Sequence, residues 1–128
     1  MPRLVAATAA LLLTLAPACG GDDGTPGPPR RGADKLRELD GKTEAAIRDR
    51  LGEPTRTKTF TMAECCHEFE IELYNTYPPD DPATATVPIQ EWTYDYDGYA
   101  LTLWLHAPDP VRGWVVLNNI RYDDDIRF

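Results

Sequence analysis

The chain has 128 residues, with 21 acidic residues against 13 basic, a net charge of −8, 42 % hydrophobic residues and three cysteines. That acidity argues against nucleic acid and against direct docking on anionic headgroups. Three cysteines are too few for the disulfide framework of small secreted proteins, so a single modest apolar core must hold one small domain.

Met1-Pro2-Arg3 precede an apolar stretch, residues 4–15, whose most polar members are two threonines; Ala16-Pro17-Ala18 then lead to Cys19. A charged start, a short apolar run and small residues before a processing point make a bacterial export signal over residues 1–18. Twelve helical residues rise about 18 Å, well short of the roughly 30 Å hydrocarbon core, so this stretch does not span a membrane. The Ala-Pro-Ala-Cys ending resembles a lipobox, with Leu15 one position earlier than the usual leucine. The resemblance implies a diacylglyceryl group on the Cys19 thiol and a mature protein lipid-anchored outside the cytoplasm. Gly20 follows, in place of the aspartate that retains some lipoproteins at the inner membrane, so the expected site is the outer membrane where the cell has one.

Residues 19–32 comprise the lipidated cysteine and a glycine- and proline-rich stretch without apolar periodicity, expected to be a flexible tether. The domain is then residues 33–128. Without the signal, 12 basic and 21 acidic residues remain, a balance of −9, with the excess acid concentrated after Arg56.

Leu36 and Leu39, three apart, predict a short helix over 33–39. Asp40-Gly41 breaks it, Thr43 suits an N-cap, Ile47 and Leu51 share a helical face, and Gly52 with Pro54 ends the second helix. The rest reads as strand. Threonine-rich 55–62 is the first. Alternation over 68–73 sets Phe69, Ile71 and Leu73 against Glu68, Glu70 and Glu72, predicting a half-buried strand. Residues 77–88, with four prolines, form a loop that is long for this domain.

Asp97-Gly98 between 90–96 and 99–106 signals a two-residue hairpin. That register opposes Tyr94 to Leu101, Trp92 to Leu103 and Gln90 to Leu105 on one face, and Thr93 to Thr102 and Glu91 to Trp104 on the other. Residues 114–122 are the last strand. The expected fold is α+β, with two short N-terminal helices packed on one face of a sheet of four or five antiparallel strands. Leu36, Leu39, Ile47 and Leu51 are expected to meet Phe69, Ile71, Trp92, Tyr94, Leu101 and Leu103.

Gly41-Lys42-Thr43 through Leu51-Gly52-Glu53-Pro54, followed by Trp92-Thr93-Tyr94 and Leu101-Thr102-Leu103, resemble the helical segment and Trp-x-Tyr strand of the SmpA/OmlA (BamE-like) family of small outer-membrane lipoproteins. The resemblance covers about residues 33–122. It implies a two-layer helix-on-sheet unit, also used by the beta-lactamase inhibitor proteins, and a non-catalytic role in envelope assembly or maintenance.

No Gly-rich phosphate loop or nucleophile elbow is present, and the alternating glutamates of 68–73 read as solvated charge, so the chain is expected not to be an enzyme and to need no cofactor. Cys65-Cys66-His67 is the sharpest local feature. On a strand, Cys65 and His67 would share a side and could join His106 as zinc ligands, whereas the two adjacent cysteines would point to opposite faces. Unremarkable thiols, a vicinal or intermolecular disulfide, and a metal site all remain open from the residues. Two functions follow. One is a lipid-anchored protein-interaction module whose partners are other envelope proteins; the other is a metal- or redox-responsive lipoprotein using Cys65, Cys66 and His67. For the first, the register places Trp104 on the polar sheet face, where either the 77–88 loop or the 126–128 tail covers it within the domain or it serves as an exposed partner anchor; the second is the expectation carried forward, with Thr102, Glu91 and His106 as neighbours.

Overall fold

The computed structural model of the protein describes residues 24–126; the expected export signal over residues 1–18, Cys19 and the last two residues lie outside the described residues. The domain is α+β, with a five-stranded antiparallel sheet, one α-helix and several short 3-10 helices. The strands are β1 (Ala33–Asp34), β2 (Arg56–Thr61), β3 (Pro88–Asp95), β4 (Tyr99–His106) and β5 (Val115–Asp123), in the order β1-β5-β4-β3-β2. The hairpin register is the one that the Asp97-Gly98 turn demands: Trp92 pairs with Leu103, Tyr94 with Leu101 and Glu91 with Trp104. Gly98 takes φ +89°, the left-handed conformation that a tight turn reserves for glycine.

Helix α1 (Glu44–Leu51) starts where Thr43 Oγ1 accepts the Ala46 N–H at 3.2 Å and ends at Gly52, φ +84°. Its entry is tied to the sheet, since Gly41 N–H donates to Val116 and Val116 N–H to Lys42, at 2.8 and 2.9 Å. Ile47 is fully buried with Leu39, Trp92, Tyr94, Leu101, Leu103, Leu105 and Val116, and Leu36 and Leu51 pack partly against this cluster.

The helix expected over 33–39 does not form. Residues 33–34 are β1, paired with Tyr122 and Arg121 of β5, and only Arg37–Leu39 makes a single 3-10 turn. The cause lies in β5. Fully buried Asn119 accepts the Leu36 N–H at 2.8 Å and donates to the Leu36 carbonyl and the Asp40 carboxylate at 2.9 Å each. Asn119 takes up the Leu36 N–H and shares its carbonyl with the Leu39 N–H at 3.0 Å, so helical bonding there is confined to one 3-10 turn.

The strand expected over 68–73 is a 3-10 helix, Glu68–Asn75. Glu70 Oε1 reaches back to accept the His67 N–H at 2.9 Å, a helix-start contact. In a three-residue turn, positions three apart share a side. Glu70 and Leu73 are accordingly buried, while Ile71 is 54 % exposed. Phe69 and Ile71 therefore do not join the α1 cluster.

The two sheet faces carry different clusters. Opposite the α1 face, Phe60, Met62, Leu73, Ile89 and Trp104 form a second buried group, edged by Cys65, Cys66, Phe69, Tyr74, Tyr77 and Val87. The connection between β2 and β3 thus folds back over the face expected to be open.

Within the stretch expected to be a tether, the described residues make main-chain contacts with the domain. Pro26 is buried and its carbonyl accepts the Tyr99 hydroxyl, the Gly27 carbonyl accepts Arg121 Nη1 at 2.8 Å, and Gly32 accepts the Asp123 N–H at 2.8 Å. Main-chain carbonyls suffice to fix such a stretch, so its lack of apolar periodicity does not leave it free.

Candidate functional site

On the β3–β4 face opposite α1, a cleft of about 190 Å³ is lined by Arg56, Glu91, Thr93, Thr102, Trp104 and Tyr122 of the sheet. The turn that opens the Glu68–Asn75 helix closes its other side with His67, Glu68, Phe69 and Glu70. The strand residues converge because positions 91 and 93 of β3 and 102 and 104 of β4 point to the same face.

Three of the four residues expected to bind a partner meet here: Trp104, Thr102 and Glu91. Their exposure is the reverse of the expectation. Trp104 is 1 % exposed and Thr102 5 %, because the 62–75 segment covers them. Trp104 is therefore not an exposed anchor. Its indole N–H donates to Glu91 Oε1 at 2.8 Å, and the Thr93 and Thr102 hydroxyls bond one another at 3.1 Å. His106, the fourth, lies apart from the cleft, where the Tyr77 hydroxyl sits 2.6 Å from its Nδ1. Burial, reinforced by the charge of Arg112, pushes the His106 imidazole below the ordinary histidine pKa.

Glu91 and Glu70 face each other across the cleft with Lys58 beside both, 3.7 Å from Glu91 and 4.0 Å from Glu70. Burial raises the Glu91 carboxyl above the ordinary glutamate range, the Trp104 N–H and Lys58 oppose the rise, and Glu70 adds to it. Glu70 was expected to be solvated; it is 6 % exposed. The sequence signal that could have found it is its spacing from His67, a carboxylate three residues past a helix start.

Cys65 and Cys66 form a vicinal disulfide across a cis peptide bond. Residues 65–67 join two 3-10 helices and are not strand, so alternation does not separate the two sulphurs. Among the described residues the two sulphurs and a Glu70 carboxylate oxygen lie within 4.8 Å of one another. Neither His67 nor His106 belongs to that set, so the expected third donor is replaced by Glu70.

The arrangement is polar, largely satisfied from within, and placed where a covering segment meets a rigid sheet. Among the described residues no helix is long and apolar enough to cross a membrane. Compared with protein-family models, curated proteins and solved structures, the chain matches none.

Proposed function

We propose that the protein is a lipid-anchored, non-catalytic envelope lipoprotein that works as a protein-interaction module in envelope assembly or maintenance, with an SmpA/OmlA-like domain. The observation that carries this reading is the short apolar run of residues 4–15 ending in Ala16-Pro17-Ala18-Cys19, ahead of a compact domain. Residues that carry the family resemblance also support it. Thr43 caps α1, Gly52 ends it, and Trp92, Tyr94, Leu101 and Leu103 share a cluster with Ile47 and Leu39. In this reading α1 and the Arg37–Leu39 turn are the helical layer on one sheet face, and the 62–87 segment is an addition on the other.

Because Trp104 is 1 % exposed, its ring is not the partner contact in this reading. Mass analysis of protein taken from envelopes tests the anchor, with lipid on an N-terminal Cys19 expected; an unlipidated N-terminus elsewhere overturns it. Crosslinking in intact cells should join the protein to other envelope proteins, and crosslinked species consisting only of itself would overturn the interaction role. A second reading, a metal- or redox-responsive lipoprotein, is favoured by one observation, the cluster of Cys65, Cys66 and Glu70.

A further inference from the structure

Glu70 is a buried carboxylate held in place beside two sulphurs. Its Oε1 accepts the His67 N–H at 2.9 Å, Lys58 Nζ stands 4.0 Å from Oε2, and the Glu70 carbonyl lies 3.9 Å from Cys65 Sγ. Cys65 and Cys66 are half-buried at the margin of the Phe60–Trp104 cluster. Donor atoms within 4.8 Å of one another can share one ion after small side-chain rotations.

We infer that the reduced Cys65–Cys66 pair, together with Glu70, binds one thiophilic divalent cation of the zinc and cadmium type. Two thiolates and one carboxylate favour such an ion over a hard cation, which wants oxygen donors throughout. Three protein ligands leave the fourth tetrahedral position to water or to a donor brought by a partner. This refines the metal-responsive reading by exchanging His67 for Glu70, and it does not depend on the lipid anchor.

The disulfide and the ion exclude each other. A dithiol reductant transfers two electrons and two protons: the Cys65–Cys66 S–S bond breaks, each sulphur becomes a thiol, and the reductant closes its own disulfide. The cation then forms two sulphur–metal bonds and releases the two thiol protons. The site is closed when oxidised and open when reduced.

The test uses the full chain carrying Cys19→Ser, so that Cys65 and Cys66 are the only cysteines among the original three. The oxidised chain, and the chain reduced with a dithiol and then freed of it without oxygen, are titrated with cadmium. Thiolate-to-cadmium charge-transfer absorption and elemental analysis are both read. One ion per reduced chain, none per oxidised chain, and affinity at least about tenfold weaker in Glu70→Gln are expected. No saturable binding by the reduced chain, equal binding by the oxidised chain, or one ion per two chains overturns the inference. Undiminished affinity in Glu70→Gln removes the carboxylate and overturns it as well. Should Glu70→Gln fail to fold, Cys66→Ser decides: binding lost agrees, and binding retained overturns.

Discussion

Trp104 puts its whole indole ring into the second cluster and gives its N–H to Glu91. Truncation to alanine therefore removes a core aromatic and strips Glu91 of a donor. Trp104→Ala is expected to destabilise the domain by about 3–5 kcal/mol, with a lower thermal midpoint and an earlier denaturant midpoint. A change below about 1 kcal/mol by denaturant titration would mean that the ring is not packed. His106 makes a separate prediction, because burial and then Arg112 depress its pKa. The unfolded chain, with the ordinary histidine value, takes up its proton first. Stability should thus fall as pH drops from above the ordinary histidine pKa to the lower folded value, and the contribution is constant below that. An NMR titration of the imidazole should show the depressed value, and His106→Asn should lose this part of the pH dependence.

Helix α1 has eight residues, too few to persist on capping alone, so its stability comes from what it buries. Ile47 is fully buried, Leu51 only partly, and the Arg48 guanidinium lies 4.6 Å from the Trp92 ring centroid. From the sequence alone Ile47 and Leu51 share the buried face equally. With the packing known, Ile47→Ala should cost about 2–5 kcal/mol and Leu51→Ala clearly less. Denaturant titration of both variants checks this, and a larger loss for Leu51→Ala would show that the helix sits rotated on the sheet.

Arg121 joins three separate parts of the domain. Its Nε and Nη2 bond the Asp34 carboxylate at 2.8 and 2.7 Å, and its Nη1 bonds the Gly27 carbonyl at 2.8 Å. The contact connects β1, β5 and the 24–32 segment, which no local pattern relates. The hydrogen bonds from Arg121 hold the Asp34 pKa below the ordinary aspartate value, against a smaller rise from burial. A depressed carboxylate stabilises the fold above its unfolded pKa, and that stability is lost as pH falls through the folded value. Asp34→Asn should destabilise the domain near neutral pH by about 1 kcal/mol, a value reduced by partial solvent exposure. It should also flatten the acid limb of the stability profile, and an unchanged acid limb in denaturant titrations would rule this contribution out.

The hairpin, α1 with its cap and stop, and the apolar face of β3 and β4 were legible in the sequence, because each is set by neighbours a few residues apart. Asp97-Gly98 fixes the register, Thr43 and Gly52 fix the ends of α1, and alternation fixes the face. Three of the four residues expected to bind a partner do meet in space for the same reason, since the register places them on one side of the sheet. Whether they are covered or exposed was left open by the sequence, because it depends on the 62–87 segment returning across that face. The glutamates of 68–73 alternate like a strand, yet His67 and Glu70 start a 3-10 helix, and alternation cannot separate these when the apolar run is short. Residues 33–34 became strand by pairing with β5, Leu36 was held by Asn119, more than eighty positions away, and the 24–32 segment was bonded by Arg121 and Tyr99. Local sequence fixes turns, caps and faces; which polar side chain captures a distant main-chain group is decided only when the chain is folded.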